Sequence, residues 1–282
     1  MAIDTEQLGK QGSYEAKAPL PSVLGDLDQI VRIIDYRQAF RKKLRRSAGL
    51  CLVISIVAGI TSATMNNGLL FGFVSLPAFV ACLVLFIYSF VYSNQMVKHR
   101  NRCQLLKELA TSVQQDAGSR AAFSVRLALQ NSSKLVSEEP WEQRKNGKQQ
   151  FFEDQWIALE GRLLDGTALT ESITELLRKR TFTNPRGKHK TKTRSRYGLN
   201  LRFDYPADVY GDPRLVHQPP TQEIRVPASA TVRDVRITEQ AIAVKAIVLN
   251  PEELLQTSAM LSLAVYQILK SSRRLASRGG AR

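Results

Sequence analysis

Between Ser47 and Val97 the chain has no Asp, Glu, Lys or Arg, although charged residues make up 23% of the whole. An uncharged stretch of 51 residues excludes a uniformly charged, solvent-facing surface there. Cysteine is scarce: Cys51, Cys82 and Cys103 are the full set. They form no CxxC or Cys/His cluster, so neither a disulfide framework nor a zinc site is suggested. Histidine is scarcer in effect, since its three copies lie far apart. His99 and Cys103 are one helical turn apart, but two ligands do not make a metal site. The chain lacks GxxxxGK[ST], GxGxxG, HExxH, GxSxG and a kinase-like HRD, so the common phosphate-binding and nucleophile signatures are missing. No catalytic residue, cofactor or metal is therefore assigned, and the chain reads as a non-enzyme. The first residues, MAIDTEQLGKQGSYEAKAPLP, carry no apolar run behind a basic start, so no cleavable signal peptide is expected.

What the chain has instead is an excess of cations and two apolar runs. Forty Lys and Arg against 25 Asp and Glu give a formal net charge of +15. The apolar runs cover 48–65 and 69–92, and only Asn66-Asn67-Gly68 separates them. Each is close to the roughly 20 residues that a helix needs to cross a bilayer, and Asn-Asn-Gly suits a tight turn. The expectation is a two-helix transmembrane hairpin. Arg41, Lys42, Lys43, Arg45 and Arg46 precede it, and Lys98, Arg100 and Arg102 follow it. By the positive-inside rule both termini are expected in the cytoplasm or its organellar equivalent, making this an integral membrane protein. Ser55 and Gly59 form a small-xxx-small spacing suited to close helix packing. Apolar spacing at Leu27, Ile30, Val31 and Ile34, and at Leu105, Leu106, Leu109 and Val113, predicts that both helices extend beyond the spans. Four segments follow: a poorly ordered 1–25, a helical hairpin at 26–117, a cytoplasmic β domain at 118–250, and a C-terminal helix with basic tail at 251–282.

After Gly118 the period becomes two. Phe123, Val125, Leu127 and Leu129 alternate with smaller or polar residues, which predicts a half-buried strand at 121–129. Residues 131–150 read as a polar loop. Asp165-Gly166, flanked by apolar runs at 155–164 and 167–182, is a hairpin signal. The run at 167–182 also has helical spacing at Ile173, Leu176 and Leu177; the strand is favoured because the turn demands a return. Further strands are expected at 190–204, 223–226, 231–240 and 241–249. An antiparallel sandwich or open barrel is the expected architecture, so the fold class is α+β. Asp204, Asp208 and Asp212 recur every fourth residue, but Pro206, Gly211 and Pro213 are read as excluding a helix there. Asn250 and Pro251 cap a final helix whose residues 254–269 carry no charge. That helix reads as packed on the sheet, as an interface, or as an interfacial or third membrane segment.

The most unusual stretch is NPRGKHKTKTRSR at 184–196. Every even position from Arg186 to Arg196 is cationic: Arg186, Lys188, Lys190, Lys192, Arg194 and Arg196. The alternation runs on as Tyr197, Leu199, Leu201 and Phe203. One strand with a cationic face and an opposite face that turns apolar explains the whole series. With Arg178, Lys179 and Arg180 on the preceding segment, nine Lys or Arg and no acid occupy 178–196. The reading is a basic hairpin finger, a ladder of six cations on one side. Its function is to bind an acidic partner or anionic lipid as a scaffold; the alternatives are an accessory subunit of a transport or secretion complex, or an enzyme of unrecognised type. A protein partner or homo-oligomer ranks first, anionic lipid second. Nucleic acid ranks last because aromatics for base stacking are nearly absent from 183–196.

Overall fold

A computed structural model of the chain describes residues 12–64, 76–118, 120–129, 133–140, 147–184, 187–215 and 224–279. Two compact units are present: residues 1–26 with 105–282, and residues 27–104.

The first unit is built on one eight-stranded antiparallel sheet. Its strands are β1 (Ser13–Pro19), β2 (Ala122–Ala128), β3 (Lys134–Pro140), β4 (Lys148–Arg162), β5 (Ala168–Thr183), β6 (His189–Asp204), β7 (Ala230–Ile237) and β8 (Ala241–Val248). The order is β1-β2-β4-β5-β6-β8-β7, with β3 paired to the outer part of β4. The α+β class stands, but the sandwich or barrel does not. A single sheet needs cover on one face only. Among the described residues α4 (Leu254–Gly279) lies against β6 and β8. Its Leu254, Leu261, Val265, Ile268 and Leu269 recur at helical spacing and are buried. On the sheet they match Leu199, Leu201 and Phe203 of β6 and Ile242, Val244, Ala246 and Val248 of β8, all buried. Each of these side chains larger than alanine contributes roughly 1.5–3 kcal/mol through removal from water. Phe203 meets Tyr266 edge to face at 5.7 Å between ring centres. The α4 helix is thus the sheet's lid, as the first of the three sequence readings has it.

Local chemistry places the turns. Gly166 takes φ of 84°, and Asp165 Oδ1 accepts from the Thr167 amide at 2.9 Å. This closes the β4–β5 hairpin, and the run read as strand or helix forms the strand β5, Ala168–Thr183. Asn250 Oδ1 accepts from the Glu252 amide at 3.2 Å, opening a 3-10 turn at Pro251–Glu253 that leads into α4. In β4, Gly161 lies under the Phe123 ring, and any Cβ there would overlap it.

Several expectations are corrected. The loop expected at 131–150 is corrected where it is described: 134–140 form β3 and 148–150 begin β4, while 131–132 and 141–146 lie outside the described residues. The segment 1–25 contributes β1, paired with β2 from Ser13↔Ala128 to Pro19↔Ala122, and the start of a helix. Residues 224–226 form no strand. One turn of helix, α3 (Ala207–Tyr210), does form, because Pro206 precedes it and Gly211 ends it at φ of 72°.

The second unit lies within two long helices, α1 (Leu20–Thr64) and α2 (Leu76–Gln114). They run antiparallel. Arg100 Nε meets Asp35 Oδ1 at 2.8 Å, and Cys82 Sγ donates to the Ala48 carbonyl at 3.1 Å. Ala48, Ser55 and Cys82 are buried, whereas Val53, Val57, Ile60, Val80 and Val84 are more than half exposed. Among the described residues, no helix is long and apolar enough to cross a membrane. This overturns the spans expected at 48–65 and 69–92. Their signal was an apolar run of nearly bilayer length on either side of Asn66-Asn67-Gly68, but the described part of each run is only one portion of a longer helix that also carries charge. The 48–64 run ends a 45-residue helix that also carries Arg32, Arg37, Lys42, Lys43 and Arg46, and its small residues Ala48 and Ser55 fill a helix seam. Asn66-Asn67-Gly68 and 69–75 lie outside the described residues. The charge-based orientation and the integral-membrane placement depended on the spans and fall with them. Buried Cys103 is a free thiol, pushed up to about 12 by burial.

Candidate cation-bearing sheet face

The β5–β6 hairpin outruns the rest of the sheet. Its strands pair from Ala168↔Asp204 to Thr183↔His189 without a register shift. The β8 partner of β6 covers only 197–204. Residues 189–196 therefore project beyond β8, supported on the other side by β5 and, further in, by β4 and β3.

The tip explains where the projection ends. The Asn184 amide donates to the Lys188 carbonyl at 2.9 Å, and the Gly187 amide donates to the Asn184 carbonyl at 3.0 Å. Asn184 Oδ1 accepts from the Lys188 amide at 2.9 Å. Gly187 adopts φ of 73°, a conformation glycine takes without strain. The expected six-cation ladder on one strand is thereby corrected. Lys188 belongs to the tip, Arg186 lies outside the described residues, and the strand itself carries four: Lys190, Lys192, Arg194 and Arg196.

Register supplies a second column. In an antiparallel pair, directly opposite residues point to the same face. Arg178 lies opposite Arg194, and Arg180 opposite Lys192. Leu176 and Phe182 flank this pair of cations on β5, opposite Arg196 and Lys190. One face thus gathers Arg178, Arg180, Lys190, Lys192, Arg194 and Arg196. Lys179 pairs with Thr193 and points to the other face, which over 181–183 and 189–195 is otherwise neutral: Thr181, Thr183, His189, Thr191, Thr193 and Ser195.

The face is held rigid by groups around the cations. Arg180 Nε donates to Gln149 Oε1 on β4 at 2.7 Å. Lys192 Nζ lies 5.9 Å from the centre of the buried Phe182 ring, a distance at which the ring's negative face attracts an ammonium. On the opposite side, Thr183 Oγ1 and His189 Nδ1 are 3.0 Å apart. The crowding of like charge registers on Arg178. Its pKa is held below the ordinary value, first by partial burial and then by Arg180, Arg196 and Arg194. Cations sit about 5 Å apart across the strands and about 6.7 Å apart along them. Both spacings are shorter than the roughly 10 Å screening length of 0.1 M salt, so the six act on a ligand together.

The same face continues into the body of the sheet, away from α4. There Gly198, Asn200 and Arg202 of β6 follow Arg196, and a hollow of about 530 Å³ opens. Ser172, Ala243 and Thr170 leave room on its floor, with Arg202, Arg236 and Lys245 among its walls. Arg202 is forked onto Asp204, with Nη2 to Oδ1 at 2.7 Å, and Arg236 meets Asp234 at 2.7 Å. Sequence reasoning passed over this hollow. The even series 198–204 contained its signal, since it continues the cationic face.

No family model matches the chain, and neither a curated protein nor a solved structure matches it.

Acidic side chains occur elsewhere as ion pairs or singly. Asp204 pairs with Arg202, and Asp212 with Arg214 at 2.8 Å, so the four-residue spacing of Asp204, Asp208 and Asp212 gathers no ligand set. Among the described residues, no three His, Cys, Asp or Glu side chains come together to hold a metal. On the α4 side of the sheet, buried Glu171 accepts from Ser258 Oγ at 2.6 Å. Desolvation pushes its pKa up to about 7 against the opposing hydrogen bond.

Proposed function

We propose that this chain is a binding protein, not a catalyst, and that its β5–β6 finger presents a two-column cationic face to an acidic protein partner. The observation that carries this reading is the register: Arg178 opposite Arg194 and Arg180 opposite Lys192. Like charges placed directly opposite one another weaken a sheet. A surface that only needed to stay solvated would not require them in pairs. Such a face gains by taking up negative charge. Nucleic acid is the poorer fit, because the cations' face offers few rings for base stacking: Phe182 of β5 is buried, and Phe151 of β4, opposite Arg178, is half-buried.

The test is a titration of the protein into a fluorescein-labelled oligoglutamate, followed by anisotropy at low and high salt. Binding that weakens with salt is expected. An exposed ion pair contributes roughly 0.2–1 kcal/mol, so replacing Lys190, Lys192, Arg194 and Arg196 together by Gln lowers affinity about tenfold or more. Vesicles of anionic lipid and a single-stranded oligonucleotide are titrated in parallel. Unchanged peptide affinity in the fourfold variant overturns the reading, as does tighter binding to vesicle or oligonucleotide than to peptide.

A further inference from the structure

Among the described residues, the basic face coincides with an open strand edge. In the body of the sheet, β8 covers the outer edge of β6 from Tyr197↔Val248 to Asp204↔Ala241. At Val248 that cover stops. The Leu249 amide turns to the Ser229 carbonyl at 3.0 Å, and the chain leaves through Asn250 into the Pro251–Glu253 turn. Among the described residues, no strand pairs with β6 on that side over 189–196. The eight residues are strand, paired with β5 on their inner edge. They leave a slot in line with β8, about 26 Å long at roughly 3.3 Å per residue.

We infer that an extended acidic segment of the partner adds to this edge as a further strand, its carboxylates on alternate residues. The inference rests on the proposed acidic partner and specifies how that partner is held. An incoming strand hydrogen-bonded to β6 places every second side chain opposite Lys190, Lys192, Arg194 and Arg196, on the same face. Acids at those positions meet cations at cross-strand distance, while the intervening residues face His189, Thr191, Thr193 and Ser195 and need only be small and polar. The backbone edge gives the affinity common to strand addition, and the alternate side chains give its selectivity.

Lysine on an edge usually keeps strands from pairing indiscriminately. Here the four cations reject neutral apolar edges and a second copy of the same edge, whose cations would meet their own kind. They leave an acidic strand as the complement. A block of acids without alternation satisfies the charge but sends half its carboxylates to the neutral face.

Three labelled peptides of equal length test this against the full chain: one alternating Glu and Thr, one with the same residues in two blocks, and the alternating peptide N-methylated on alternate backbone amides. Hydrogen exchange of the 189–196 amides is read with each. Strand addition predicts that the alternating peptide binds at least tenfold tighter than either other peptide and slows exchange within 189–196. Equal affinity for all three, with exchange unchanged, overturns strand addition while leaving the wider acidic-partner reading in place. Failure of all three to bind overturns both.

Discussion

Arg178 and Arg194 face each other across the β5–β6 ladder, with their side chains on the same side of the sheet. Charge of one sign is thus concentrated where strand pairing alone would favour its opposite. Replacing Arg194 by Glu turns a repulsive cross-strand pair into an attractive one. A gain of about 0.5 kcal/mol is expected, within the range for such pairs, read as a higher urea midpoint at unchanged slope. The same variant binds oligoglutamate more weakly. Stability and affinity moving in opposite directions marks a functional surface; both falling together marks a structural one.

Glu171 couples the fold to pH. Its folded pKa of about 7 lies above the ordinary carboxylate value because the side chain is fully buried. The unfolded chain releases this proton near pH 4.5, whereas the folded chain keeps it to about pH 7. Below both values Glu171 has no pH-dependent effect. As pH climbs through that window the fold loses stability, and above it the loss levels off. At 1.36 kcal/mol per unit the whole loss is about 3 kcal/mol. Glu171→Gln keeps an acceptor for Ser258 and removes the ionisation. Urea midpoints for the two proteins should agree at about pH 4 and separate by about pH 8, with the Gln variant the more stable.

Gly161 leaves the space that the Phe123 ring occupies beside β4. Gly161→Ala forces that buried ring to move, with an expected loss of about 1–3 kcal/mol, the range for overpacked cores. Shrinking the ring in the same background, with Phe123→Leu, should recover part of it. A double-mutant cycle on thermal unfolding measures the coupling. Additive losses would show that the two positions do not share the space.

Much of the sheet was legible in the sequence because one face of it is buried. The period of two at Phe123, Val125 and Leu127, and at Tyr197, Leu199, Leu201 and Phe203, appears because alternate side chains enter a core. β3 lacked that signal: only Ser137 of its seven residues is even half-buried, so neither face favours an apolar residue. β1 was missed for a different reason. Its pairing with β2 joins residues more than a hundred positions apart, and local composition carries no trace of that. The two spans were misread because each apolar run was taken by itself, whereas its described part belongs to a longer helix that also carries charge. Within the site, alternation gave the cations of β6 but not their number on the strand. The tip at 184–188, marked by Gly187, removes Lys188 from the ladder. Only the register that follows from that tip brings Arg178 and Arg180 alongside Lys192 and Arg194, and sends Lys179 to the other face.

Whether position or mere total charge governs binding is settled by two fourfold variants of equal net charge. One replaces Lys190, Lys192, Arg194 and Arg196 by Gln. The other replaces the exposed Arg32, Arg37, Lys42 and Lys43 of α1. Anisotropy of the alternating acidic peptide is measured for both beside the parent chain at the same low salt. The β6 variant is predicted to lose about tenfold or more in affinity while the α1 variant stays within about twofold of the parent, since exposed pairs act locally. Equal losses in the two variants would contradict a binding site on the sheet face.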